Sequence, residues 1–275
     1  VPVPLLFTFS GVLQYSGAAM AVGLFEVVPP SSVAWARVAL AAGLLLPASA
    51  PWRRAWTRHD LVSAGVFGVF LATMNIAFYV AIDRIPLGNA VAIEFLGPVA
   101  VAAWTGEGWR DRAGIAFAAV GVALLAGVTL EDGWTEDASV GLGAILVAAA
   151  AWAAYIVLGR RVARGGDGFS ALAAAMSIGA LVFAPLFAGP AVRQLSDPTL
   201  FATAVGVALL SSVLPYVVEQ TILRRVSAAR FSILLALLPL TATATGALAL
   251  GQSPGPSELV GVGLVVVAIL VSAGR

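Results

Sequence analysis

Three ionisable side chains, Arg37, Glu94 and Glu219, stand inside runs of sequence that are otherwise apolar. At a helix centre in a bilayer a charge costs at least about 2.5–3.5 kcal/mol, so such groups normally face a protein interior or a water-filled path. Glu94 lies in AVAIEFLGPVAVAA, residues 90–103, just before Gly97–Pro98. Pro98 has no N–H to offer the Glu94 carbonyl. A free backbone acceptor and a carboxylate therefore share one helical turn, which suits an ammonium group or a proton. Counted from Leu87, the carboxylate lies roughly 10 Å along the helix at about 1.5 Å per residue. The bland alternative is a structural Glu, bonded to a neighbouring helix or paired with Arg37.

Other polar and aromatic residues fall at similar depth. Asn75 and Tyr79 are spaced i, i+4 and share a helix face. They reach the Glu94 cavity if their span neighbours it. Otherwise Asn75 bridges helices and Tyr79 is an interfacial aromatic. Arg37 could hold a substrate carboxylate, but pairing with Glu94 or snorkelling to the interface is the more economical expectation. Glu219 lies beside Arg224 and Arg225 and is a candidate for gating or coupling, or for a surface salt bridge. Trp152 and Tyr155, three apart, line a cavity or pack on a neighbour. Gln14 is expected to face inward. Trp52, Trp56, Trp104, Trp109 and Trp134 read as interfacial anchors.

The elements that position these residues are membrane helices. The chain has 275 residues, 60% hydrophobic and only 11% charged, against about 25% charged in soluble domains. About 20 apolar residues span a bilayer core. Ten such segments are expected: 5–25, 32–48, 61–82, 87–105, 113–129, 140–159, 169–188, 199–223, 231–250 and 258–273. Every basic residue other than His59 is Arg. Twelve arginines fall on one set of alternate loops and the carboxy-terminal end, and two, Arg84 and Arg193, on the other. Positive charge favours the cytoplasm, so both termini are expected there. The sequence starts at Val1, without Met, so a few residues are expected to precede it. No secretory leader is evident.

Ten divides into two fives. A shift of 141 lays residues 65–98 on 206–239 without a gap, matching Arg84 to Arg225 and Pro98 to Pro239. An odd number of spans per repeat inverts the second half. Such repeats place a substrate site near the midplane, between the halves. The expected fold is all-α: a polytopic membrane protein of ten transmembrane helices in two inverted five-helix repeats, residues 1–133 and 134–275. Pro98 and Pro239 are the paired helix breaks.

Two stretches carry a resemblance to a known family. RIPLGNAVAIEFLGPVAVA, residues 84–102, and SSVLPYVVE, residues 211–219, resemble the fourth-span and eighth-span motifs of the threonine/homoserine exporter branch. That branch is part of the EamA-type drug/metabolite transporter superfamily. The resemblance implies ten spans and export of small amino acids such as threonine or homoserine. It also implies a Glu just before the ninth-span Pro, where this chain has Leu238. A purine, drug-like cation or sugar derivative therefore stays open as cargo.

Several chemistries are absent. The chain lacks cysteine and has one histidine, in an Arg-rich loop, so no metal site is expected. No Walker loop occurs, and no HExxH hydrolase pattern. No cofactor, no enzyme activity and no nucleic-acid partner are expected. The expected partners are a small-molecule substrate, the lipid bilayer and, as a coupling ion, protons. The expected location is the inner membrane. A membrane binding protein that transports nothing is the alternative outside the transporter class.

Overall fold

The computed structural model describes residues 2–53, 55–105, 108–129, 135–163, 168–223 and 234–273. Every regular element among them is a helix. In chain order these are α1 (Val3–Leu24), α2 (Pro30–Ser49), α3 (Arg58–Ile82), α4 (Leu87–Glu94), α5 (Leu96–Thr105), α6 (Trp109–Thr129) and α7 (Glu136–Ala163). Then follow α8 (Gly168–Gln194), α9 (Pro198–Ala208), α10 (Leu214–Leu223), α11 (Leu237–Leu250) and α12 (Pro256–Ala273). Seven helical stretches are long and apolar enough to cross a membrane. Three more, Leu87–Val101, Leu237–Leu250 and Pro256–Val271, are apolar but shorter. Over the described residues the expected segments fall on these helices, single or in pairs. The seventh is longer than expected: α8 continues through Pro185 and Pro190 to Gln194.

The helix ends follow local chemistry. Pro30 opens α2 in its first turn, where a missing N–H costs nothing. Thr57 and Asp60 form a reciprocal capping box at the start of α3, both bonds 3.1 Å. Asp197 caps α9 by accepting from the Thr199 and Leu200 N–H groups. Gly251 ends α11 with φ +66°, a left-handed conformation that glycine adopts without strain.

Two internal breaks matter for the site. The regular helix is interrupted at Phe95, between α4 and α5, and again at Ala236, just before α11, although both residues keep right-handed helical backbone angles. Each break lies three residues ahead of a proline, Pro98 and Pro239. Between α9 and α10, Leu209–Val213 forms a π-helical turn in which the Leu214 N–H reaches back to the Leu209 carbonyl. Such turns are mostly single insertions inside α-helices, frequently at functional sites.

Packing joins helices far apart in sequence. α3 lies against α7 and α8, α2 against α8 and α9, and α1 against α9, α10 and α11. α4 lies against α11 and α7, and α6 against α12. Cross-helix bonds agree with the expected alternation of sides. The Ser170 hydroxyl donates to the Ser49 carbonyl, joining the end of α2 to the start of α8. At the opposite end Arg84, after α3, lies 3.7 Å from Asp137 of α7. Large apolar side chains point outward, among them Leu181, Leu248 and Trp104, the last 92% exposed. In a membrane this is the surface that lipid covers. Trp52 and Trp109 are also exposed at helix ends, as expected of anchors. Trp56 instead donates to the Pro51 carbonyl. Trp134 lies outside the described residues.

Candidate functional site

Glu94 is the last residue of α4 and is buried. The Phe95 N–H reaches back to the Val91 carbonyl, and Val99 to that of Phe95. Pro98 leaves the Glu94 carbonyl without its helical donor. Phe95 fixes the break by packing edge-on against Trp152 of α7, with ring centroids 4.8 Å apart. Gly97 allows α7 to approach: a Cβ there would run into the Ala149 carbonyl. Backbone cannot yield as a side chain tip can. Gly97→Val is therefore expected to cost about 1–3 kcal/mol, the usual range for overpacking. Thermal unfolding in detergent measures it, and an unchanged transition would rule out this close approach of α5 to α7.

Arg37 projects from α2 to the π-helical turn. Its Nη2 donates to the Ser211 carbonyl at 2.6 Å and its Nε to the Ser212 hydroxyl at 2.9 Å. The Ser211 carbonyl is available because residue 215, four positions on, is proline and has no N–H. The Arg37 guanidinium also lies over the Tyr79 ring, 5.3 Å from its centroid. No direct ion pair joins Arg37 and Glu94 among the described residues. Both economical expectations for Arg37 are thus corrected. It neither snorkels nor pairs directly, because the register of α9 and α10 brings two acceptors, the Ser211 carbonyl and the Ser212 hydroxyl, within its reach.

Tyr79 is fully buried rather than interfacial. Its ring meets Phe25 edge-on at 5.8 Å, and its hydroxyl is buried with no hydrogen-bond partner among the described residues. Asn75 is buried one turn earlier, with its amide donating to the Leu71 carbonyl of its own helix at 2.8 Å. Trp152 and Tyr155 do not share a cavity. Trp152 packs on Phe95, whereas Tyr155 stacks on Phe67 in a second core between α2, α3 and α8. Gln14 contributes its backbone carbonyl, which accepts from the Ser211 hydroxyl at 3.0 Å. Pro239 is buried at the start of α11, beside Leu238. Glu219 lies on α10, but its side chain is outside the described residues.

The structure therefore gathers Tyr79, Ser211 and Ser212 around Arg37. Ser211 and Ser212 were not singled out in the sequence. Pro215 was the available signal, since it frees the Ser211 carbonyl as Pro98 frees that of Glu94. Ser10 is a second buried hydroxyl without a partner among the described residues. Among those residues no group of three acidic or histidine side chains is placed to hold a metal.

Comparison with known proteins decides the family. Residues 139–274 match the EamA-like transporter family. Over 98% of its length the chain is 32% identical to the threonine/homoserine exporter RhtA of Escherichia coli strain K12, covering 90% of that protein. The chain belongs to the EamA-like transporter family. Within the drug/metabolite transporter superfamily, this EamA-type chain falls in the RhtA-like branch. The Salmonella typhimurium strain LT2 RhtA is likewise 32% identical, over 92% of this chain and 84% of that protein. An uncharacterised transporter of Bacillus subtilis, YyaM, is 28% identical over 92% of this chain and 86% of its own. A solved crystal structure shares the fold with a TM-score of 0.61, covering 98% of this chain and 95% of that one at 21% identity. This EamA-type chain is a multi-pass membrane protein, and its relatives are transporters rather than enzymes.

Proposed function

We propose that the protein exports small amino acids, threonine and homoserine first among them, across the bacterial inner membrane by alternating access. The observation that carries this is a buried carboxylate at a helix break, Glu94, in a protein whose one intramembrane guanidinium among the described residues, Arg37, bonds Ser211 and Ser212 rather than ion-pairing with it. A zwitterion needs both charges. Glu94 and its freed carbonyl receive the ammonium group. Arg37 spends two of its five N–H donors on Ser211 and Ser212, which leaves donors for a carboxylate. The unpartnered Tyr79 hydroxyl is a candidate for a substrate side-chain hydroxyl.

Alternating access rests on two inverted halves, residues 1–133 and 134–275. Support comes from the breaks at Phe95 and Ala236, which stand 141 residues apart, the shift that aligns the halves. The packing supports it too: α1 lies against α9, α10 and α11 much as α7 lies against α3, α4 and α5. The arginine bias puts both termini in the cytoplasm. A proton on Glu94 that alternates with the amine would couple export to proton entry, and Glu219 is a candidate for coupling at the cytoplasmic end. Facilitated diffusion is the uncoupled version.

Leu238 favours a second reading, with another cargo in the same fold. It is buried and packs against Gly11 of α1, so that position offers no charge. Counterflow in proteoliposomes discriminates. Threonine and homoserine are expected to exchange and to raise the thermal transition, by about 2.7 kcal/mol of stabilisation at a hundred times Kd. Exchange and stabilisation by a purine, an organic cation or a sugar derivative instead would move the cargo assignment. Binding without any flux would point to a non-transporting protein.

A further inference from the structure

The eight-residue helix that carries Glu94 is held at its other end by residues from the opposite half of the chain. α4 starts after Pro86, which supplies no side-chain cap. The first N–H groups of a helix need outside partners. That of Leu87 is taken by the Gln252 side-chain oxygen at 3.0 Å, from the turn between α11 and α12. The Asn89 amide donates to one Glu258 oxygen at 2.5 Å. The second Glu258 oxygen accepts from the Gly255 N–H at 2.8 Å. Asn89 and Glu258 are only 3% and 9% exposed. Gly88 backs directly onto Thr243 of α11, where a Cβ would meet the threonine hydroxyl. Beside these contacts lies a cavity of about 160 Å³, lined by Gly88, Asn89, Thr243, Gln252 and Glu258 among others.

A tie of this kind has a use that an apolar seam lacks. A hydrogen bond between protein groups is worth little net, because water replaces it when it breaks. At the end of the bundle, water can reach both partners once they separate. An apolar seam in the same place would expose its surface on opening. α4 also has a hinge suited to such a motion, the break at Phe95 ahead of Pro98. Swinging α4 about that point would part Asn89 from Glu258 and draw the start of α4 away from α11 and α12, opening a path along α4 toward Glu94 near the pivot.

We propose that Asn89, Gln252 and Glu258 form the outer gate of the export path, a latch that holds α4 closed over Glu94 and opens for release. This rests on the alternating-access reading. The sequence has no cysteine, so Thr243→Cys places a single thiol behind the latch. Labelling of that thiol by a membrane-impermeant maleimide, added to the outside of whole cells, reads the gate. Gln252→Ala in that background is expected to label about three- to tenfold faster, the shift that one lost neutral hydrogen bond produces, and Asn89→Ala, which loses a bond to a carboxylate, about ten- to hundredfold faster. Glu258→Gln keeps an acceptor oxygen and is expected to fall between them and the parent. A role in stability alone would lower the thermal transition and leave labelling unchanged, and that outcome overturns the gate. The two readings fail separately. A parent that exchanges threonine while its latch variants label at the parental rate removes the gate only. A parent that exchanges no amino acid while its latch variants label faster removes the cargo and keeps the gate.

Discussion

Glu94→Gln is expected to remove most amino-acid counterflow and, with it, any dependence of that flux on external pH. Glutamine matches glutamate in size and keeps a side-chain oxygen, so the packing around Phe95 and Trp152 should survive. The charge and the exchangeable proton are lost. A hydrogen bond to a charged partner is worth about 1.5–3 kcal/mol, which corresponds to a roughly ten- to hundredfold loss of affinity for an ammonium-bearing substrate. Proteoliposome exchange at several external pH values measures both effects. Glu94→Asp tests reach: the charge stays but withdraws by one methylene, so partial flux is expected. Full exchange with an unchanged pH profile in Glu94→Gln would remove the carboxylate from the mechanism and leave it a structural role. Retained thermal stability in the same variant separates loss of function from loss of fold.

The architecture was largely readable because lipid imposes a simple constraint. With no water in the bilayer core, backbone polar groups must be satisfied within helices, so apolar length marks seven of the helices as spans, while three others are apolar but shorter. Leu87 and Pro256 begin helices close to where turn chemistry put them. Pro98 was a visible signal as well, since a missing N–H acts through its own helix, and the helix is interrupted three residues before it, at Phe95. Cross-helix partners were not. Arg37 finds Ser211 and Ser212, 174 and 175 residues away, and only the register between α2 and the π-helical turn decides that. Trp152 and Tyr155 look like one face by spacing, yet α7 packs against α4 and α5 on one flank and α3 on another, so the two rings join different cores. Glu258 looked like a span boundary. Its bond to Asn89 comes from the approach of α12 to α4, which helix packing without a hydrophobic driving force does not encode in periodicity.

Arg37→Ala is the second large effect, and it should act on stability and transport together. Removing the guanidinium leaves the Ser211 carbonyl without a donor, because Pro215 cannot supply one. A buried acceptor left unsatisfied costs about 1–3 kcal/mol. The ring of Tyr79 loses its cation, worth about 0.5–2 kcal/mol. A marked fall in the thermal transition is expected, together with loss of substrate carboxylate binding. Arg37→Lys separates these effects. Lysine restores the charge, but as a point donor it lacks the planar fork that bonds Ser211 and Ser212 together while lying over Tyr79. Stability is therefore expected to recover only in part. The double variant Arg37→Ala with Glu94→Gln supplies the decisive comparison. If the two side chains attract one another, removing both should destabilise the protein less than the two single losses added together. Strict additivity would mean that Arg37 serves only the tie between α2 and the π-helical turn, and the paired-charge account of zwitterion binding would fail with it.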